Sequence, residues 1–433
     1  MTFEEIKKRL DYAADARSEK IIGVYDTLLE NPELGYCEEK TSALVRKYFD
    51  ELGIAYEYPL AVTGVKGRLD GRQNKINVCI IGEMDALKCA GNPVSNELGY
   101  AHACGHNAQI AAMIGCAAAF AESGVMKELD GSVTFMAVPA EEFIDLEFRR
   151  RLRNEGKIKY FGGKQQLIYE GAFDDIDMAI MLHAQPNEPK ARLYTRGYNL
   201  GFLEKTVTFR GKAAHGSAPF DGINALNAAS LAIIGIHSNR ETFREEDRIR
   251  IHPIITNGGE VVNSVPDEVC IDTYVRGSSL EAIKKGSAAF DRSARGAALM
   301  VGAEVEIEDI PGYLPINEDL LLTQVFEKCA ESYVGGDNII CGKEITGSTD
   351  IGDLSCILPA IQPSIGGFSG GLHSVDFAVC NKNTACVLAS KIMAATAAML
   401  LYDGAKEAEN IKNSFKPRMS KEEYIEYLNN RKE

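Results

Sequence analysis

The pattern of apolar and polar positions predicts a chain that mixes helices with buried strands. Charged and apolar residues recur with a helical period over residues 3–30, and a second amphipathic helix is predicted over residues 38–51. Residues 77–81 form a short apolar run, which is typical of a strand buried on both faces. Similar runs at residues 131–138 and 178–182 predict two more buried strands. The first part of the chain therefore has the pattern of an α/β domain.

Each of these three strands is followed by residues that suit a metal site. Asp85 follows the first strand, Glu141 and Glu142 follow the second, and His183 follows the third. Sites in open α/β sheets form at the carboxyl ends of the strands. Adjacent carboxylates repel each other unless a cation or a proton lies between them. Any one of these residues could be a solvated turn residue, but their shared position predicts a site.

The segment from His102 to Asn107 carries the densest group of metal-ligand side chains. Cys104 and His106 are separated only by a glycine, and residues 107–120 are rich in Ala, Ile and Met and predict a helix. The pair is therefore expected on a tight turn at a helix N-terminus, where the dipole favours a thiolate. Sulfur and nitrogen ligands this close suit a zinc-like ion. A buried Cys and His in a core turn is the alternative.

The pattern changes at residue 201. Residues 201–312 predict the order β-α-β-β-α-β, a ferredoxin-like arrangement inserted into the α/β domain. The first domain is then expected to comprise residues 1–200 and, after the insertion, residues 313–433, with a peripheral helical tail at the end. A chain of 433 residues is too long for one ordinary core, which also favours two domains.

Composition and charge narrow the class of protein. The net charge is −15, and such an acidic chain lacks the basic face that nucleic acids require. The basic run at residues 148–153 is interpreted as a solvated helix face. No apolar run approaches the length of a membrane span, and residues 1–20 lack the apolar core of a signal peptide. The eleven cysteines are scattered and odd in number, which favours free thiols in the cytoplasm.

The ordered motifs resemble one enzyme family over nearly the whole chain. They are Pro32-Glu33-Leu34, Met84-Asp85-Ala86-Leu87, His102 to Asn107, Pro139 to Glu142, His183, His215, Asn263 to Glu268 and Leu372-His373-Ser374. This set resembles the aminoacylase/carboxypeptidase-type dinuclear metallopeptidases, in the amidohydrolase branch of hippurate and indole-acetyl-amino-acid hydrolases. Residues 82–85 and 347–353 look closest to the aminobenzoyl-glutamate hydrolase-like members.

The resemblance implies a site for two divalent metal ions. Cys104 would bridge them as a thiolate, and the remaining ligands would be His106, Glu142, His183 and His373. Glu141 would be the general base for a metal-bridging water, and Asp85 would hold a ligand histidine in its tautomer. The thiolate favours zinc, while the nitrogen and oxygen ligands leave manganese open. His102 would support the ligands or be a hydrogen-bonded core histidine.

The resemblance also gives the inserted domain a role as a lid and dimerisation domain. His215 would reach the site of a partner subunit and stabilise the oxyanion, although it could also be a simple turn histidine. Asn263 and Arg276 would hold the free carboxylate of the substrate, with Arg276 as a bidentate clamp. Arg276 could equally form a surface ion pair. The expected partners are a small substrate and a second copy of the chain, with no nucleic acid and no membrane.

The expected reaction is metal-dependent hydrolysis of the amide bond of an N-acyl amino acid or a dipeptide-like substrate with a free carboxylate. Two alternatives remain: a hydrolase that uses Cys104 as nucleophile with His102 or His106, and a non-catalytic metal-binding member of the same fold. The chain also departs from many relatives, because Asn107 and Gln109 replace an aspartate and a histidine. These exchanges change the surroundings of the ligands.

Overall fold

A computed structural model describes residues 1–342 and 346–429, which form two units. The first unit contains residues 1–198, 317–342 and 353–421. The second contains residues 199–316, 346–352 and 422–429. The predicted boundaries placed the last two of these segments in the catalytic domain.

The α-helices of the described residues are α1 (Phe3–Ala16), α2 (Ser18–Leu29), α3 (Glu39–Leu52), α4 (His106–Ser123), α5 (Leu146–Asn154), α6 (Gly163–Glu170), α7 (Ala225–Ser238), α8 (Leu280–Val301), α9 (Leu320–Val334), α10 (Ile351–Ser355), α11 (Ala389–Leu401), α12 (Lys406–Ser414) and α13 (Lys421–Asn429). A π-helical segment, Asn383–Leu388, leads into α11.

The strands of the same residues are β1 (Ala55–Leu60), β2 (Gly64–Asp70), β3 (Asn77–Glu83), β4 (Leu87–Lys88), β5 (Tyr100–Ala101), β6 (Ser132–Val138), β7 (Met178–Met181), β8 (His183–Ala184), β9 (Leu193–Thr195), β10 (Gly201–Arg210), β11 (Arg250–Ile251), β12 (Ile254–Asn257), β13 (Glu268–Gly277), β14 (Glu304–Pro311), β15 (Ile339–Cys341), β16 (Ala360–Ile361), β17 (Ser364–Ile365), β18 (Phe368–Ser369) and β19 (Ala378–Val379).

The central sheet of the first unit has the strand order β1-β2-β6-β3-β7-β16. The strands β6, β3, β7 and β16 run parallel, and β2 pairs antiparallel with β6. Every residue of β3, β6 and β7 is buried, because apolar layers cover both faces of the sheet. The three strands predicted from apolar runs are confirmed. Their carboxyl ends lie at one edge of the sheet, as parallel pairing requires.

Helix α4 packs against β3, and α1, α2 and α11 pack against α4. The segment 383–401 that contains α11 corrects one expectation, since it is long and apolar enough to cross a membrane by length and composition. However, 83% of its 18-residue apolar window is buried inside the protein, as expected for a core helix. Its side chains help to fill the core of the first unit.

The second unit contains an antiparallel sheet in which β13 and β10 are central. Strand β10 pairs with β13 on one side and β14 on the other, while β11 and β12 both pair with β13. Helices α7 and α8 pack together and against this sheet. When β11 and β12, which both pair with β13, are taken as one interrupted strand, the element order is the expected β-α-β-β-α-β.

Three local expectations need correction. The helical stretch over residues 3–30 is two helices, which meet at Arg17. The basic run lies on α5 as expected, but Arg149 is only 1% exposed, so that helix does not present a fully solvated face. The C-terminal tail is not merely peripheral, because Ala408 and Ile411 of α12 belong to the buried core.

Candidate metal centre

The Cys104 turn leads directly into α4, which begins at His106. Gly105 connects the two candidate ligands with a φ of 84°, a left-handed conformation that favours glycine. A Cβ at this position would also lie 2.8 Å from the Cβ of Ala184, on the strand that carries His183. A side chain between Cys104 and His106 would therefore push this turn away from the neighbouring strand.

Two groups of ligand atoms share the Cys104 sulfur. One group is Cys104, His106 and His183, and the other is Cys104, Glu142 and His373; the ligand atoms of each group lie within 4.8 Å of one another. The Cys104 Sγ is 3.5 Å from His183 Nε2, and His373 Nε2 is 3.0 Å from Glu142 Oε1. All five predicted ligands thus come together, with the thiolate between the two groups.

Asp85 connects the two groups through hydrogen bonds. His106 Nδ1 lies 2.8 Å from the Asp85 carbonyl oxygen and 3.2 Å from its Oδ1, so it is placed to donate its proton there. The amide N–H of Glu142 donates to Asp85 Oδ2 at 2.8 Å. Asp85 therefore directs His106 Nε2 towards the cluster and also fixes the main chain of a second ligand.

The donor set fits divalent cations. Among the described residues, the fully buried His106 Nε2 makes no hydrogen bond. A buried ring nitrogen without a proton partner is costly unless something else binds it. A thiolate, three imidazoles and a carboxylate are ligands that zinc accepts. His106, His183, Cys104, Glu142 and His373 would hold the ions.

The electrostatics of the cluster favour a thiolate. Burial raises the pKa of Cys104, but the charges of His106 and His183 outweigh it and bring this pKa well below its usual value. Burial lowers the pKa of His373, but hydrogen bonds to Cys104 and Glu142 raise it to about 11. The cluster therefore attracts positive charge, which divalent cations would provide.

Glu141 lies beside the first group of ligands. Its Oε2 is 3.8 Å from His106 Nε2, and Glu141, His106 and Glu83 form a third cluster of ligand atoms within 4.8 Å. The side chain is 6% exposed. Glu141 is therefore a buried carboxylate next to the predicted metal ligands.

Sequence reasoning placed Glu83 with Asp85 at the end of a strand but gave it no role, noted Gln109 only as a change in the surroundings of the ligands, and left Lys164 out. Glu83 Oε1 accepts from Lys164 Nζ at 2.7 Å, and Glu83 Oε2 accepts from Gln109 Nε2 at 2.8 Å. Burial raises the pKa of Glu83, but Lys164, His106 and His183 outweigh it and bring it to about 2. Glu83 stands in the same strand-end motif as Asp85, which was the available signal. Nothing in the local pattern marked Lys164.

The turn that carries Glu141 and Glu142 is held by two buried side chains, Glu38 and Arg149, that were also missed. Glu38 Oε1 accepts from the Ala140 amide N–H at 2.8 Å, and Ala140 has a φ of 55°. Arg149 donates to the Glu142 carbonyl oxygen and, at 2.7 Å, to that of Phe161. The main chain on both sides of Glu141 is therefore fixed.

Gly35 makes room for this arrangement. A Cβ at Gly35 would lie 2.8 Å from both the Ala140 Cα and the Arg149 Nη2. The Pro32-Glu33-Leu34 motif thus precedes a glycine that lets the chain approach the carboxylate turn closely. The motif is far from Glu141 in sequence but supports it in space.

His102 is buried, with 4% exposure, and neither ring nitrogen has a hydrogen-bond partner within residues 1–342 and 346–429. Burial, followed by the charge of His106, lowers its pKa to about 3. The expectation of a hydrogen-bonded core histidine is therefore wrong for this residue. Its ring is a neutral group next to the ligand turn.

The other predicted residues lie in the second unit. His215 is exposed, and its Nδ1 accepts from the Ser217 amide N–H at 3.1 Å, so the ring proton is on Nε2. The Asn263 carbonyl oxygen accepts from the Gly216 amide N–H at 2.7 Å, which brings Asn263 next to His215. Arg276 donates to Ser348 Oγ at 2.6 Å, and its partner is thus a hydroxyl rather than the carboxylate of an ion pair.

The fold and the ligand cluster together define a metal-dependent hydrolase. Residues 79–398, most of the chain, match the model of peptidase family M20/M25/M40, and the chain belongs to this family. It is a hydrolase of amide bonds that uses divalent metal ions.

Relatives with curated names include two groups of hydrolases. The chain is 26% identical to the Xaa-Arg dipeptidase of Mus musculus over 98% of this chain and 95% of that protein. It is 27% identical to the IAA-amino acid hydrolase ILR1-like 4 of Arabidopsis thaliana, over 78% of this chain and 75% of that protein.

Solved structures show the same fold. The Bacillus subtilis YXEP protein, described as a dinuclear metal binding peptidase, superposes with a TM-score of 0.68 at 22% identity and covers 89% of this chain and 99% of its own. An aminobenzoyl-glutamate utilization protein from Klebsiella pneumoniae gives a TM-score of 0.69 at 18% identity and covers 91% and 99%.

Proposed function

We propose that this protein hydrolyses the amide bond of an N-acyl amino acid or a dipeptide-like substrate that has a free carboxylate. The observation that carries the proposal is the sharing of Cys104 by two ligand groups, with Glu141 beside them. Two groups around one thiolate suit a pair of cations. The names of the relatives, a dipeptidase and an amino acid conjugate hydrolase, support this class of substrate.

The side chains then have distinct tasks. When bound, two divalent cations lower the pKa of water and polarise the amide carbonyl. Glu141 accepts the proton of the attacking water and passes it to the leaving amine. The Asp85 carbonyl oxygen, which accepts from His106 Nδ1 at 2.8 Å, would keep His106 in the tautomer whose Nε2 is free to bind a cation. Zinc and manganese are both proposed, and the thiolate favours zinc.

Residues of the second unit are proposed to bind substrate. His215 has its proton on Nε2, as an oxyanion donor requires, and it is exposed. We assign it to the site of a partner subunit. The Arg276 guanidinium is half-buried next to Phe202 and Tyr274, 5.4 and 5.2 Å from their ring centres. It is proposed, with Asn263, to hold the substrate carboxylate.

A homodimer is proposed through the second unit. Strand β12 is an edge strand that pairs with β13, and its Ile254 and Ile255 are 58% and 42% exposed. An exposed apolar edge is suited to pairing with another chain. Light scattering should give the mass of two chains, and Ile254→Lys should shift it towards one. A monomeric wild type would remove this part of the proposal.

A hydrolysis screen tests the reaction. The zinc- or manganese-loaded protein is incubated with N-acyl amino acids and dipeptides, and the products are identified by mass spectrometry. Matched compounds whose carboxylate is amidated serve as controls. We expect release of the free amino acid from at least one carboxylate-bearing compound and much slower turnover of its amidated form. No hydrolysis of any compound would favour the non-catalytic alternative, and equal turnover would reject the carboxylate requirement.

A further inference from the structure

Glu83 and His106 approach each other without forming a hydrogen bond. Glu83 Oε2 lies 3.2 Å from His106 Nε2, and both side chains are fully buried. His106 Nε2 nevertheless makes no hydrogen bond within the described parts of the chain. Nδ1 of the same ring faces the Asp85 carbonyl oxygen, so Nε2 is the ring nitrogen that can bind a cation on the side of Glu83.

The spacing of these atoms matches two ligands of one cation. Zinc binds nitrogen and carboxylate oxygen at about 2.0–2.2 Å, so two such ligands at a tetrahedral angle are about 3.4 Å apart. The observed 3.2 Å is close to this value. The 3.5 Å between Cys104 Sγ and His183 Nε2 is likewise what a shared cation would give. Three ligands, Cys104, His106 and His183, leave one position of a tetrahedral site open.

We infer that Glu83 is a further ligand of the cation held by Cys104, His106 and His183. The inference rests on the proposed function, because it assumes that the cluster binds cations. Glu83 belongs with His106 and Glu141 to the third group of ligand atoms within 4.8 Å, so it would approach this cation from the side of His106. Glu83 is not in the group of Cys104, Glu142 and His373. The two cations would therefore have different sets of ligands.

Lys164 and Gln109 are positioning residues for this ligand. Lys164 binds Glu83 Oε1 and Gln109 binds Glu83 Oε2, which fixes the orientation of the carboxylate. Gln109 therefore places an amide donor 2.8 Å from the carboxylate oxygen that faces His106. The Lys164 ammonium also places a positive charge beside the Glu83 carboxylate.

Metal-binding titrations of Glu83→Gln and Glu83→Asp test the inference. Chelator-treated proteins are titrated with Co²⁺, and absorption reports the coordination of the ion and its bond to the Cys104 thiolate; zinc affinities are measured by calorimetry. Asp309→Asn is the matched control, since Asp309 also holds a buried lysine, Lys205, but lies in the second unit. We expect the control to bind both cations as the wild type does.

In Glu83→Gln we expect one of the two zinc affinities to fall at least 10–100-fold, the range for groups that support a metal site. The d–d absorption of the first cobalt site should change, because it loses a ligand. Glu83→Asp keeps the negative charge but shortens the side chain by one methylene group. It should therefore also weaken zinc binding, and it replaces Glu83→Gln in the test if that variant unfolds. Wild-type affinities and spectra in both variants would overturn the inference while leaving the proposed function intact. If the wild type itself binds no cation, both fail.

Discussion

Lys164 and Lys205 are both fully buried and both held by carboxylates, but their surroundings differ. Lys205, on β10, binds Asp309 of β14 and, at 2.8 Å, Asp291 of α8. This ion cluster connects three elements of the second unit. Lys164 binds Glu83, whose other oxygen faces a ligand histidine. The same kind of buried ion pair therefore joins structural elements in the second unit and adjoins the predicted metal ligands in the first.

The difference shows how a buried charge pair can be assigned to stability or to function. Buried ion pairs are weak evidence of stabilisation, because desolvation offsets their attraction. The two lysines differ in what their carboxylate partners contact. The carboxylates of Asp291 and Asp309 bind the Lys205 ammonium. The carboxylate that binds Lys164 also faces a ring nitrogen that lacks a hydrogen-bond partner in the described residues.

The largest expected effect is a loss of activity in the first unit that a substitution in the second unit does not cause. Glu141→Gln should lower kcat by about 10²–10⁴-fold, because the neutral amide cannot accept a proton. Metal content should remain that of the wild type, as measured by elemental analysis of the same samples. Asp309→Asn should keep wild-type kcat. If Glu141→Gln retained full turnover, the general base would have to be another residue.

Stability measurements should then separate the two lysines. Lys205→Met leaves Asp291 and Asp309 without their cation and should lower the free energy of unfolding by about 3–5 kcal/mol, with or without zinc. Lys164→Met should cost a similar amount in chelator-treated protein but less in zinc-loaded protein, where cations compensate Glu83. Denaturant unfolding in both states provides the test. Equal zinc-independent losses for the two variants would contradict the distinction.

The sequence predicted the features that depend on residues close together in the chain, and it missed those that depend on contacts between distant residues. Apolar runs predicted β3, β6 and β7, and the short spacing of Cys104 and His106 predicted the turn at the start of α4. Long-range partners could not be found in this way. The charge pattern of α5 indicated a solvated face, yet Arg149 is buried because it binds the carbonyl oxygens of Glu142 and Phe161.

Glu83 was missed for a related reason. In a strand buried on both faces, the alternation of side chains does not show which face carries the site. Glu83 and Asp85 stand at the same strand end, and only the packing of α4 and α6 shows that both reach His106. Lys164 gave no local signal because its importance comes from a partner 81 residues away.

Substitution of Arg149 tests whether its hydrogen bond to the turn that carries Glu141 and Glu142 is needed for activity. Arg149→Met should lower kcat/KM by about 10–100-fold, as expected when a group that positions ligands is lost. Arg149→Lys should restore part of this loss, because an ammonium can still donate to one carbonyl oxygen. Arg151→Met on the exposed face of α5 is the control. Equal activities of the wild type and Arg149→Met would show that the turn is held without this side chain.

The smallest expected effect concerns Glu38. Burial, and then the charge of Asp85, raises the pKa of Glu38 to about 8. Since the folded-state pKa lies above the unfolded value of 4.5, Glu38 supports stability below that value and loses this contribution as the pH rises towards 8. Glu38→Gln should therefore gain stability relative to the wild type as the pH rises from 5 to 8, with a slope of at most about 1.4 kcal/mol per pH unit. A pH-independent difference in the free energy of unfolding would reject this account.

The most direct test of the central claim is the metal content of active protein, measured with activity before and after chelation. We predict about two divalent cations per chain, loss of hydrolysis when they are removed, and recovery with zinc or manganese. Full hydrolysis by protein that contains no bound cation, abolished only by alkylation of Cys104, would contradict the account and favour a cysteine nucleophile.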